Sequence, residues 1–216
     1  MGDDLATIAD AFRILGALFY RAPGDPELAG VRDYLSSGGL VADWPWGTPT
    51  ELVSIADDFS AVPDEAELAQ QYQRLFIGPD ALPAPPWASV YLDRENSLWG
   101  DSTFRLADFC AEQGIECTSE QNEPPDHFGL LCSLFALLAE SRDRALLCDF
   151  LAEHVLPWSG RYLELFSSAA QDSPFYRASA ALANCSLNGL QAQWQIEPHQ
   201  LRLRYPPTDD EMEAVQ

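Results

Sequence analysis

The sequence predicts an all-α fold: a single-domain helical bundle of about nine or ten helices. Three observations lead there. Apolar residues recur at helical spacing almost throughout the 216 residues. Helix starts are marked again and again by Asp, Thr or Ser followed by Pro. No strand series and no internal repeat interrupts the pattern, so helices must pack on helices.

The elements follow in order. Residues 4–20 put Leu5, Ile8, Phe12, Leu15 and Phe19 on one face. DPELAGVRDYL opens on Asp25 as N-cap with Pro26 behind it. TPTELVSIADDF repeats the device with Thr48 and Pro49, and Glu51 completes a capping box. PDEAELAQQYQRLF is helical until Gly78-Pro79 stops it. The segment 77–103 is irregular: four prolines fall between Pro79 and Pro86, which makes the backbone extended, stiff and poor in donors. Asp101 is the expected cap of a helix over 102–113. Further helices are expected at 125–140, 143–155, 157–171 and 174–195, the last capped by Ser173 with Pro174 following. The domain is expected to span residues 1–205, with 206–216 a flexible polar tail.

Composition narrows the function. Apolar residues make up 47%, enough for a globular core. No run reaches the roughly 18 apolar residues of a membrane helix, and the acidic start MGDDLATIAD is unlike a secretory leader. Net charge is −22 and all 12 basic residues are arginines. Such a field repels nucleic acid and attracts basic partners, although solubility alone also explains it. The cysteines at 110, 117, 132, 148 and 185 are odd in number and form no C-x-x-C pair. No disulfide framework is expected, and the setting reads as cytoplasmic.

Two stretches stand out. In EQNEPPDHFGLL, Asp126 and His127 open a helix whose flanks are apolar on most sides, which reads as the buried central helix. Asp126 is placed to meet unpaired N–H groups of the first turn, and the dipole there favours a neutral His127. The pair can be read as a helix start or as an acid/base couple, but no nucleophile motif, metal set or phosphate loop completes an active site. In LPAPPWASVYLD, Trp87 rides on a stiff Pro-rich segment. It can wall a peptide groove or pack into the core. Tyr72, Leu75 and Phe76 precede it at i, i+3, i+4 spacing, a stripe that is usually core. Asp93, Arg94 and Glu95 read most simply as surface or intrahelical pairs.

Taken together, YQRLFIGPDALPAPPWASVYLDRENSLWGDST, QNEPPDHFGLL and LPWSGRYLELF…PFYRA resemble the DmsD branch of the TorD/DmsD redox-enzyme maturation chaperones. The likeness runs in order over roughly residues 10–200. The E-P-x-D-H helix start and the L-F-I-G-P…P-P-W block are together highly specific.

The resemblance implies a TorD-like, cytoplasmic, cofactor-free chaperone and no enzyme. Its partner would be the twin-arginine signal peptide of a molybdenum-containing oxidoreductase precursor of DMSO reductase type, held back from Tat export until its cofactor is inserted. Tat translocase components are further partners in this scheme, and both monomers and domain-swapped dimers are known among the relatives. Family peptide-contact positions carry over onto Tyr72, Leu75, Phe76, Pro86, Trp87, Asp126 and His127, with Glu123 and Arg94 in the same motifs. The family commonly has an aromatic after Gly-Pro; here Asp80 stands there, which bears on peptide preference. Guanine-nucleotide binding is associated with the family, but no phosphate loop is legible. On this reading Glu123 and Asp126 meet arginines, while Trp87, Phe76 and Leu75 cover the apolar part of the peptide. The rival classes are a hydrolase built on Asp126 and His127, and an adaptor with no peptide pocket.

Overall fold

The computed structural model describes residues 4–61, 64–94, 98–116, 123–141 and 143–206. Among them are eleven α-helices and no strand: α1 (Leu5–Tyr20), α2 (Pro26–Ser36), α3 (Gly39–Asp43), α4 (Pro49–Ser60), α5 (Glu65–Tyr72), α6 (Ala88–Leu92), α7 (Asp101–Glu112), α8 (Phe128–Ala139), α9 (Arg144–Phe150), α10 (Leu156–Ala169) and α11 (Pro174–Trp194). The caps at Asp25, Thr48 and Ser173 form as the sequence predicts, including the Thr48–Glu51 box. The polar tail from residue 207 onward lies outside the described residues.

The centre is the antiparallel pair α1 and α8. Phe19 meets Phe128 with ring centroids 4.9 Å apart, and Phe12 meets Phe135 at 4.1 Å. Two glycines let the backbones approach this closely. A Cβ on Gly129 would lie 2.9 Å from Tyr20 Cβ and 3.0 Å from Tyr20 N, and one on Gly16 would strike the Ser133 hydroxyl. Around the pair, α10 brings Trp158, Tyr162 and Phe166, and α11 brings Phe175 and Tyr176, all buried. Arg177 of α11 grips Asp58 of α4 with two bonds of 3.0 and 2.6 Å.

Four boundaries differ from expectation. α8 starts at Phe128, not near Pro125, because His127 rather than Asp126 is its N-cap. α7 includes Asp101 as its first residue, and its cap is supplied from elsewhere. The helices expected at 143–155 and 157–171 join through a π-helical turn, Leu151–Val155. Pro157 has no N–H and crowds the preceding turn, so the ladder shifts: the Leu156 N–H bonds Leu151 C=O, five residues back. A second π turn, Gln73–Ile77, ends α5, and the short helices α3 and α6 were not foreseen.

The close crossing makes a prediction. Gly129→Ala must push α1 away and is expected to cost about 1–3 kcal/mol of stability. Gly160→Ala, whose Cβ would meet nothing within 4 Å on α10, is expected to be neutral or to gain up to about 1 kcal/mol. Urea denaturation of the two variants checks both signs.

Candidate functional site

The fold brings the two singled-out stretches together. Pro85 and Pro86 offer carbonyls but no N–H groups, and the start of α8 offers N–H groups without intrahelical partners. They pair: the Phe128 N–H bonds Pro86 C=O at 2.7 Å, and the Ala88 N–H bonds Asp126 C=O at 3.1 Å. Trp87 and His127 thus face each other across a single antiparallel bridge.

Asp126 is buried, and its side chain serves α6 rather than α8. Its Oδ2 accepts the Ser89 N–H at 2.7 Å, in the first turn of α6. Burial raises its pKa above the usual carboxylate range; the Ser89 N–H and the nearby Ser89 and Thr103 hydroxyls oppose that rise. Neither hydroxyl closes a well-aligned bond, and Oδ1 has no hydrogen-bond partner. Asp93 does the same for α7, accepting the Ser102 N–H at 3.0 Å and its hydroxyl at 2.7 Å.

His127 is 5% exposed. Its Nδ1 accepts the Gly129 N–H at 3.1 Å, as a side-chain cap does, so the neutral ring carries its proton on Nε2. Burial pushes its pKa down to about 3. The carboxylate of Asp126 and the imidazole of His127 are spent on different backbone donors, so the acid/base couple is not assembled.

The more open part of the site lies beside this pair. Trp87 is half-buried, stands edge-on to His127 at 5.8 Å, and donates its indole N–H to Glu123. Glu123 is half-buried too. Burial raises its pKa, Asp126 adds to the rise, and the Trp87 bond opposes it. Tyr20, at the end of α1, also stands edge-on to His127, at 5.4 Å. Its C=O lies 3.5 Å from the half-buried Tyr72 hydroxyl, whose pKa is raised by burial, then by Tyr20 and Glu123. Tyr72, Tyr20, His127, Trp87 and Glu123 therefore form one polar-aromatic cluster.

Other expected site residues lie elsewhere. Leu75 is fully buried, and Phe76 packs on Phe166 at 5.2 Å and Tyr176 at 5.6 Å, inside the core. Pro86 is buried, and its carbonyl anchors α8. Asp80 is exposed and lines a separate cleft of about 460 Å³ with Gln70, Pro79 and Pro83. Arg94 is exposed on a third cleft, beyond the far end of α6. Tyr20 was not foreseen; its aromatic ring beside the apolar stripe of α1 was the one available signal. Among the described residues no group of three or more His, Cys, Asp or Glu could hold a metal ion. Cys110, Cys132, Cys148 and Cys185 are free thiols, and no described helix is long and apolar enough to cross a membrane.

An all-helical domain with a polar-aromatic cluster around a neutral, capping histidine offers side chains for binding and no assembled acid/base couple. The comparisons agree. Residues 43–164 match the family described as nitrate reductase delta subunit. The chain is 46% identical over 196 residues to the Tat proofreading chaperone DmsD of Salmonella typhimurium, covering 90% of this chain and 91% of that one. It is 37% identical over 199 residues to a Haemophilus influenzae protein whose name assigns it the same role, covering 92% and 95%. A solved structure from Archaeoglobus fulgidus, of a protein assigned to redox enzyme maturation, shares the fold with a TM-score of 0.53 at 19% identity, covering 85% of this chain and 94% of that one. The chain belongs to the TorD/DmsD family of redox-enzyme maturation chaperones.

The buried histidines set a pH dependence. His127 is held neutral by burial, with a pKa of about 3, and His154 likewise, at about 4, between Phe109 and Phe150. Both folded values lie below the unfolded 6.5, so the unfolded chain takes up protons first as pH falls. Stability should drop from about pH 6.5 toward 4, by about 2 kcal/mol per histidine at pH 5. Asp126 and Glu123, whose folded pKa values are raised, work in the opposite direction as they protonate. Denaturation curves at pH 7 and pH 5 should show the loss, and His127→Gln should reduce it.

Proposed function

We propose that this chaperone binds the twin-arginine signal peptide of a molybdenum-containing oxidoreductase precursor in the cytoplasm, and so delays Tat export until the cofactor is in place. The observation that carries the reading is the Trp87–Glu123 pair. Glu123 is half-buried and accepts the Trp87 indole N–H, and burial raises its pKa. An arriving guanidinium would offset the cost of holding it ionised and form a charge-assisted bond. Trp87, Tyr20 and Tyr72 supply adjoining aromatic surface for the apolar residues that follow the arginines. The −22 charge speeds encounter with a basic peptide.

On this reading Trp87, Glu123 and Tyr72 contact the peptide, while Asp126, His127 and Pro86 position the platform from below. Leu75 and Phe76 support it through the core. Asp80 lines the neighbouring cleft and tunes peptide preference. Residues 1–205 act as one chaperone domain, as a monomer or a dimer, with Tat translocase components as further partners.

Calorimetric titration with a twin-arginine peptide tests the reading. Trp87→Ala should weaken binding by about 1–3 kcal/mol while the fold persists. Glu123→Gln should weaken binding only for peptides with both arginines intact, and wild-type affinity should begin to fall above the usual carboxylate range as pH is lowered. Unchanged affinity in folded Trp87→Ala and Glu123→Gln variants would sink the assignment, as would hydrolytic turnover lost in Asp126→Asn.

A further inference from the structure

Beyond the far end of α6 lies a cleft of about 580 Å³ with a chemistry opposite to the rest of the molecule. Four of the chain's 12 arginines line it: Arg94, Arg105, Arg202 and Arg204. Two carboxylates, Asp93 and Asp101, line it as well, which leaves an excess of two positive charges; Asp93 is engaged by the Ser102 N–H and hydroxyl, and Arg105 donates to the same hydroxyl at 3.2 Å. Trp99 and Phe104 stand on its rim, 44% and 59% exposed. Trp99 has φ 64, a left-handed conformation that bulky residues rarely hold. A basic, aromatic-rimmed recess in a chain of net charge −22 is a concentration of charge that solubility does not explain.

We propose that this cleft docks an acidic stretch, carrying at least one bulky apolar side chain, of the same precursor polypeptide whose arginines meet Glu123; the assignment rests on the peptide-binding reading above. The arginine-bearing stretch itself is excluded from the cleft by like charge. Proximity favours a neighbouring stretch of the same chain. Trp87 precedes α6, Leu92 ends it, and five helical residues rise only about 7.5 Å. An extended peptide spans that distance in about two or three residues. A carboxylate facing Arg94 and Arg105 gains charge-assisted bonds, and an aromatic or aliphatic side chain finds Trp99 and Phe104.

Three synthetic peptides test this on the full chain: one with paired arginines followed by leucines, one rich in Glu with Phe and Leu, and one joining the two. Binding is read by calorimetry and by Trp fluorescence. The double variant Arg94→Gln/Arg202→Gln should bind the Glu-rich and joined peptides about tenfold more weakly and the arginine peptide unchanged. Arg94→Lys, which keeps the charge, should recover much of the affinity lost in Arg94→Gln. If the wild type binds the Glu-rich peptide no better than its Gln-substituted counterpart, or if the double variant weakens all three peptides equally, the inference is overturned. Binding to phosphatidylglycerol vesicles that the double variant abolishes, without binding of the Glu-rich peptide, would overturn it in favour of a lipid surface. Failure of the arginine peptide alone would strike at the peptide-binding reading while still supporting an acidic ligand for this cleft.

Discussion

The approach of α1 to α8 is the constraint on which the rest depends. Gly16 and Gly129 remove the side chains that would hold the two backbones apart. That contact sets Phe19 on Phe128 and fixes where α10 and α11 can lay their aromatics. It also carries Tyr20, the last residue of α1, to the side of His127, the cap of α8, although the two are far apart in sequence. The cluster is therefore a by-product of a core contact. Asp126 and His127 beneath it are buried and hydrogen-bonded, so little side-chain freedom remains there.

A second layer of order comes from carboxylates that serve a neighbouring element. Asp126 precedes α8 yet satisfies α6, and Asp93 follows α6 yet satisfies α7. Each ties two segments with one side chain. A five-residue helix cannot sustain itself, since nucleation costs more than so few bonds return. Here α6 exists because its start is met by Asp126 and by the Asp126 carbonyl, both fixed by the start of α8. Burying Asp126 with Oδ1 unpartnered is unfavourable in itself and is offset by the segments it orders.

Much of the fold was legible because local signals sufficed. The caps at Asp25, Thr48 and Ser173 and the apolar stripe of α1 act within one turn and need no tertiary partner. What escaped were features decided at a distance. Pro124-Pro125 suggested a helix start, but the true cap is His127, whose ring turns back to the Gly129 N–H. The segment after Pro86 looked irregular because its helix is made by contacts from elsewhere. At the site, the motif residues Pro86, Trp87, Glu123, Asp126 and His127 do converge. The stripe of Tyr72, Leu75 and Phe76 could not reveal depth: helical spacing says which residues share a face, not how far that face is sunk. Arg94 was grouped with Trp87 by closeness in sequence, and α6 carries it away.

The donor-poor character of the Pro79–Pro86 segment has a bearing on colloidal behaviour. An extended stretch at a protein surface ordinarily invites a second chain to add alongside it as a strand, the first step toward sheet-like aggregates. Strand addition needs alternating N–H and C=O groups on the free edge. Here the prolines delete N–H groups, and the start of α8 occupies the Pro86 carbonyl. The backbone of this stretch thus has little left with which to template another chain. The chain is in this way shielded, along this stretch, from becoming the seed of a sheet-like aggregate.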